Sequence, residues 1–83
     1  MSKPTDCYVY VHIRASDGRV FYVGKGRGKR AWISDRRSAH WRRTVAKHGL
    51  IVQVIVAGLD ETCAFSIERM VIAKYGRANL VNL

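Results

Sequence analysis

The chain has one proline, two cysteines and six acidic residues among its 83. Each scarcity excludes something. A single proline together with 48% hydrophobic residues excludes a disordered basic tail, which lacks the apolar side chains to build a core. Cys7 and Cys63 have no Cys or His beside them at zinc-finger spacing, which argues against a structural zinc and leaves two thiols expected to be reduced. The longest apolar run, around Leu50 to Leu59, is too short for a bilayer and contains Gln53. Nothing at the N-terminus resembles a signal peptide, so a cytoplasmic location without a membrane partner is expected. The third scarcity is the most informative: 15 Lys and Arg against 6 Asp and Glu leave a net charge of +9.

That charge is concentrated. Lys25, Arg27, Lys29, Arg30, Arg36, Arg37, Arg42, Arg43 and Lys47 fall in one segment opposed only by Asp35, and the rest of the chain is nearly neutral. A dense basic patch is the footprint of a polyanion site, nucleic acid ahead of an anionic membrane surface. The bland alternative is a solvated basic surface with no specific partner. The length fits one domain, residues 1–83, near the lower limit for a core built without metals or disulfides.

Local pattern gives the elements. Cys7 to Arg14 alternates, with Val9, Val11 and Ile13 on one face and Tyr8, Tyr10 and His12 on the other, the period of a half-buried strand. Ser16-Asp17-Gly18 is a turn signal, and Arg19 to Gly24 reads as the second arm of an antiparallel hairpin. A two-residue loop would place Tyr22 opposite Ile13, whereas a three-residue loop would place it opposite His12. Only the latter puts Tyr10 and Tyr22 on one face, and it is the expected register. Gly24, Gly26 and Gly28 are expected to turn the backbone sharply out of the strand, so that amides can approach a phosphate.

Lys29 to Ser34 suits a short helix. Ser38 caps a second helix that runs to His48 and stops at Gly49, anchored by Trp41 and Val45. Leu50 to Ala57 reads as a buried third strand ended by Gly58. Asp60 caps a last helix, Glu61 to Tyr75, terminated by Gly76. Its apolar stripe holds Cys63, Ala64, Phe65, Ile67, Val71, Ile72 and Tyr75, with Glu68 inside it. A carboxylate aimed inward needs a cation, a metal or several donors, so Glu68 is either a salt-bridge partner of an arginine or a metal ligand or catalytic group. The predicted fold is α+β: a small three-stranded antiparallel sheet, the N-terminal hairpin plus one central strand, flanked by about three helices.

The glycine segment matches neither a Rossmann fingerprint, where Lys29 stands at the third glycine, nor a phosphate-binding loop, where Arg30 replaces Ser or Thr. However, Tyr8-Val9-Tyr10, Tyr22-Val23-Gly24, Arg30, His40, Glu68 and Asn82, in that order, resemble the GIY-YIG nuclease superfamily. The resemblance runs from Tyr8 to Asn82. Tyr8 stands where the motif has glycine, and valine replaces isoleucine twice. The resemblance implies an endonuclease that uses Mg²⁺ or Mn²⁺ to hydrolyse DNA by in-line attack of water. Tyr10 would be the general base or position the water, although an ordinary tyrosine is a poor base near neutral pH. Tyr22 would orient water or phosphate, Arg30 would meet the charge building on the phosphate, and His40, rather than His48, would shuttle or orient a proton. Glu68 would hold the metal. Gly24 would support the site; Asn82 would either help position it or close the sheet. DNA is the expected partner, held by Lys25, Arg27, Lys29, Arg36, Arg37, Arg42, Arg43 and Lys47. A homodimer is left open and no protein partner is implied. The alternatives are a non-catalytic nucleic-acid-binding module on the same fold, with Trp32 or Trp41 stacking on bases, and an assembly protein that meets an acidic partner.

Overall fold

In the computed structural model, which describes residues 6–81, three antiparallel strands form one sheet in the order β2-β1-β3. β1 is Cys7–Arg14, β2 is Val20–Gly26 and β3 is Leu50–Leu59. Helix α1, Ala39–His48, lies between β2 and β3, and α2, Glu61–Tyr75, follows β3. The α+β class and the antiparallel sheet are as expected. The third helix is not: Lys29 to Ser34 yields a single 3₁₀ turn, Arg30–Trp32, because the backbone is already extended at Ile33.

The capping residues set the helices. Ser38 Oγ accepts the Trp41 N–H at 3.1 Å, and Gly49, at φ 76°, ends α1. Asp60 Oδ1 accepts the Cys63 N–H at 2.7 Å, and Gly76 ends α2. Each cap satisfies backbone groups that the helix leaves orphaned.

The central strand is the N-terminal one, not β3. β1 is buried on both faces from Cys7 to His12, beyond the half-burial that its alternation suggests. On one face Val9, Val11 and Val23 meet Ala64, with Ile67, Val71, Ile72 and Tyr75 of α2 packed around them and Leu80 closing the cluster. On the other, Tyr8 and Tyr10 pack with Ala31, while Phe21, Trp41 and Val81 form an adjoining cluster. The aromatic side of β1 is therefore an interior, roofed by the 3₁₀ turn and α1. β3 is the sheet's other edge, and Ile51, Val54 and Ile55 are 48%, 37% and 45% exposed. Its aliphatic run reads as buried, but no residue of the strand is fully buried: Val56 and Leu59 pack against the α2 cluster and Leu50 beside Trp41, and the helices leave the rest of that edge open. β3 also continues past Gly58 to Leu59, with Gly58 at φ 71° and the pairing to β1 shifting register on both sides of Val9. Cys63 and Phe65, at the margins of the α2 stripe, face outward.

The hairpin reaches the expected register by a different route. Arg14 N–H donates to the Arg19 carbonyl at 2.8 Å, enclosing a four-residue loop rather than three. Ile13 then pairs with Val20 and His12 with Tyr22, so Phe21 is an extra, bulged residue. The bulge restores the parity that the longer loop would have reversed. It also points Phe21 into the aromatic cluster beside Trp41 and leaves its carbonyl to accept the Val81 N–H at 2.7 Å.

Candidate active site

Tyr10 and Tyr22 share the aromatic face, their rings stacked with centroids 6.1 Å apart. Gly24 makes this placement feasible by staying within the strand rather than turning out of it. It pairs with Tyr10, and a Cβ there would lie 2.6 Å from Tyr10 Cζ and Oη. Gly26 does the same for Arg30, whose Cγ would be 2.5 Å from an added Cβ. Of the three glycines only Gly28, at φ 55°, turns the chain. The tyrosine hydroxyl thus lies across one missing side chain and the arginine stem across the next.

Tyr8, the residue at the motif's glycine, holds the glycine turn in place. Its hydroxyl donates to the Gly28 carbonyl at 2.7 Å and accepts the Ala31 N–H at 3.0 Å. Arg30, between those two residues, has its stem laid over Gly26 and its side chain exposed at the cleft.

The cleft holds about 550 Å³ between Tyr22, Arg30, Arg36, Arg37 and Trp41, and Asp35 is its single carboxylate among the described residues. Arg37, expected as one of many surface cations, sits at its centre. Its Nε donates to the Ile33 carbonyl at 2.9 Å and Nη2 to the Arg30 carbonyl at 3.0 Å. Both terminal nitrogens lie 3.4 Å from Tyr10 Oη. The guanidinium carbon is 5.0 Å from the Tyr22 ring centroid and 5.5 Å from that of Trp41. Burial raises the Tyr22 pKa, the neighbouring Tyr10 adds to the rise, and the Arg37 and Arg30 charges only partly oppose it. Tyr22 is therefore a neutral phenol at physiological pH, a donor and not a base.

His12 was not singled out from the sequence beyond its face, yet it is fully buried at the centre of this cluster. Trp41 Nε1 donates to His12 Nδ1 at 2.9 Å, and His12 Nε2 lies 2.7 Å from the Ala31 carbonyl. Indole is only a donor and a carbonyl only an acceptor, so the imidazole is neutral with its proton on Nε2. Burial lowers its pKa; the bond to Ala31 opposes this and the Arg37 charge reinforces it. His12 ties α1, β1 and the 3₁₀ turn together.

The remaining residues are dispersed. His40 is exposed on the first turn of α1 and does not line the cleft, and His48 Nδ1 lies 2.8 Å from Ser16 Oγ near the hairpin loop. Arg27 Nε donates to Cys7 Sγ at 3.1 Å and lies 2.9 Å from Asp6 Oδ1; Lys25 Nζ is 3.7 Å from Glu61. Arg42 donates to the Ser34 carbonyl, while Lys29, Arg36, Arg43 and Lys47 are exposed. Asn82 lies outside the described residues.

Glu68 is half-buried on α2. Burial raises its pKa, and the Lys25 ammonium and backbone N–H pull it back. None of the ion pairs among the described residues involves Glu68, so the alternative of a salt bridge to an arginine finds no partner there. α2 packs on the aliphatic face, and Glu68 meets edge strand β2 at the ammonium and backbone N–H of Lys25, between Gly24 and Gly26. Among the described residues no three His, Cys, Asp or Glu converge. A lone, half-buried carboxylate fits Mg²⁺ or Mn²⁺ in the form in which water and substrate phosphate complete the shell. No helix among the described residues is long and apolar enough to cross a membrane.

No family model, curated protein or solved structure matches the chain.

Proposed function

We propose that this chain is a GIY-YIG-type endonuclease that hydrolyses DNA phosphodiester bonds at the tyrosine–arginine cleft. The observation that carries this reading is the convergence of Tyr10, Tyr22 and Arg30 on one face, with two strand glycines making room for Tyr10 and for the Arg30 stem. Phosphodiester hydrolysis needs an acceptor for the water's proton, donors that fix the phosphate, and positive charge where the transition state gathers negative charge. Tyr10 Oη, held against a guanidinium, orients the water and accepts its proton as the phenolate, the phenol's own proton having first passed to solvent. Tyr22, a neutral phenol, donates to a phosphate oxygen or to the water. Arg30 presents its planar, permanently charged side chain to the phosphate. Glu68 holds Mg²⁺ or Mn²⁺, which when bound would neutralise charge on the phosphate and the departing oxygen. His40, exposed on α1, would reach a proton only through bound DNA or water. DNA lies along the exposed cations of α1 and the preceding loop, and Trp32, 58% exposed beside Tyr8, offers a stacking surface.

A second reading, a DNA-binding module that cuts nothing, is favoured by one observation: Glu68 belongs to α2, which packs on the aliphatic face of the sheet, whereas the tyrosines lie on the aromatic one. Cleavage of supercoiled plasmid and of a branched DNA, with Mg²⁺ or with chelator, separates the two. The nuclease reading expects metal-dependent nicking that is lost in a folded Glu68→Ala protein. Binding without nicking on either substrate, unchanged by the substitution, would establish the module instead.

A further inference from the structure

We propose that Arg37 acts through Tyr10: it is a positioning residue that lines the cleft and holds the Tyr10 hydroxyl, buried behind it, rather than one of the cations that grip the substrate. The inference rests on the reading of the cleft as a phosphodiesterase site. A guanidinium has five N–H donors in a fixed plane. In Arg37 one points at the Ile33 carbonyl, one at the Arg30 carbonyl, and one from each terminal nitrogen at Tyr10 Oη. The flat surface of the group is engaged as well, by the rings of Tyr22 and Trp41. Little of Arg37 is left for a phosphate. Arg30 is the opposite case, since its guanidinium has no hydrogen-bond partner among the described residues and stands exposed at the cleft.

The backbone supports the assignment. Arg36 has φ 62°, the one non-glycine residue in the left-handed region among those described. Such a conformation persists only where surrounding contacts enforce it. Here it turns the chain so that Arg37 returns toward the sheet while Arg36 remains outside. The 3.4 Å contacts to Tyr10 are long for hydrogen bonds, as catalytic contacts often are before substrate tightens them. Lysine could supply the charge but not the planar, two-pronged approach to a single oxygen with simultaneous anchoring to two carbonyls.

The test is a double-mutant cycle on single-turnover cleavage of a labelled branched DNA, comparing wild type, Tyr10→Phe, Arg37→Gln and the double variant, with DNA affinity measured in chelator. If Arg37 works through Tyr10, Arg37→Gln lowers the cleavage rate at saturating protein on the order of 10²-fold. DNA affinity stays within about twofold, and the double variant is no slower than Tyr10→Phe alone. Multiplying losses, or a roughly tenfold weaker affinity with an unchanged saturated rate, would make Arg37 a substrate ligand and overturn the proposal. Should Arg37→Gln fail to fold, Arg37→Lys enters the same cycle and is expected to recover only part of the rate. A wild type that cleaves no DNA would defeat the phosphodiesterase reading, and with it Arg37's catalytic role. The positioning contact is then judged from the Tyr10 ¹³Cζ resonance, which Arg37→Gln should move while leaving Tyr75 in place. An unmoved Tyr10 signal overturns the contact too.

Discussion

Replacing His12 with phenylalanine isolates the group that joins the three elements around the cleft. The ring is fully buried and bonded at both nitrogens, so phenylalanine fills similar space but strands the Trp41 indole N–H and the Ala31 carbonyl. Each buried, unsatisfied group costs about 1–3 kcal/mol, giving a loss of roughly 2–6 kcal/mol for the two. A domain of this length has on the order of 4–12 kcal/mol to lose. Urea unfolding followed by tryptophan fluorescence measures the difference. The pH dependence supplies a second, sharper signature. The folded pKa of His12 lies below its ordinary value of 6.5, so the unfolded chain takes up the proton first as pH falls. The stabilisation is complete above about 6.5 and is lost as pH falls from there toward the lowered folded value, with a slope of up to ~1.4 kcal/mol per pH unit for one group. The His12→Phe protein lacks that decline. Parallel stability–pH profiles between pH 7.5 and 5.5, or a variant as stable as wild type, would refute the assignment of a buried neutral imidazole.

Two further outcomes follow from the site's packing and charge. Gly24→Ala should displace the Tyr10 ring, which is itself buried, and cost about 1–3 kcal/mol as an overpacked site; thermal unfolding together with the nicking rate reports both, and an unperturbed, fully active protein would contradict the close approach of ring and glycine. Alanine at Arg36, Arg43 or Lys47 should weaken DNA binding and flatten its log–log salt slope by about 0.9 for each phosphate that is no longer neutralised. Alanine at Lys25 or Arg27, which face Glu61 and Asp6, should change that slope much less, and equal effects at all five positions would remove the distinction.

How much of this was legible in the sequence depended on whether the determinant was local. Both helices begin and end where the caps Ser38, Asp60, Gly49 and Gly76 place them, because a cap joins neighbours in the chain. The first strand's alternation named both faces. It did not reveal that the aromatic face is roofed, since that depends on where the 3₁₀ turn and α1 come to rest. The aliphatic run of β3 could not disclose an uncovered edge for the same reason. Tyr10 and Tyr22 share a face as expected, but through a four-residue loop corrected by a bulge at Phe21, which tertiary burial of that ring favours. Arg37 was indistinguishable from its neighbours because its role follows from the left-handed turn at Arg36. His12 was visible only as a polar residue on the aromatic face; its partner, Trp41, lies 29 positions away.

The most direct test of the central claim is the Mg²⁺-dependent nicking rate of wild type and Tyr10→Phe at saturating DNA. This substitution removes one oxygen and keeps the packed ring. A phosphodiesterase site centred on Tyr10 predicts a loss on the order of 10²-fold or more with DNA affinity retained. A Tyr10→Phe protein that nicks as fast as wild type would contradict the account.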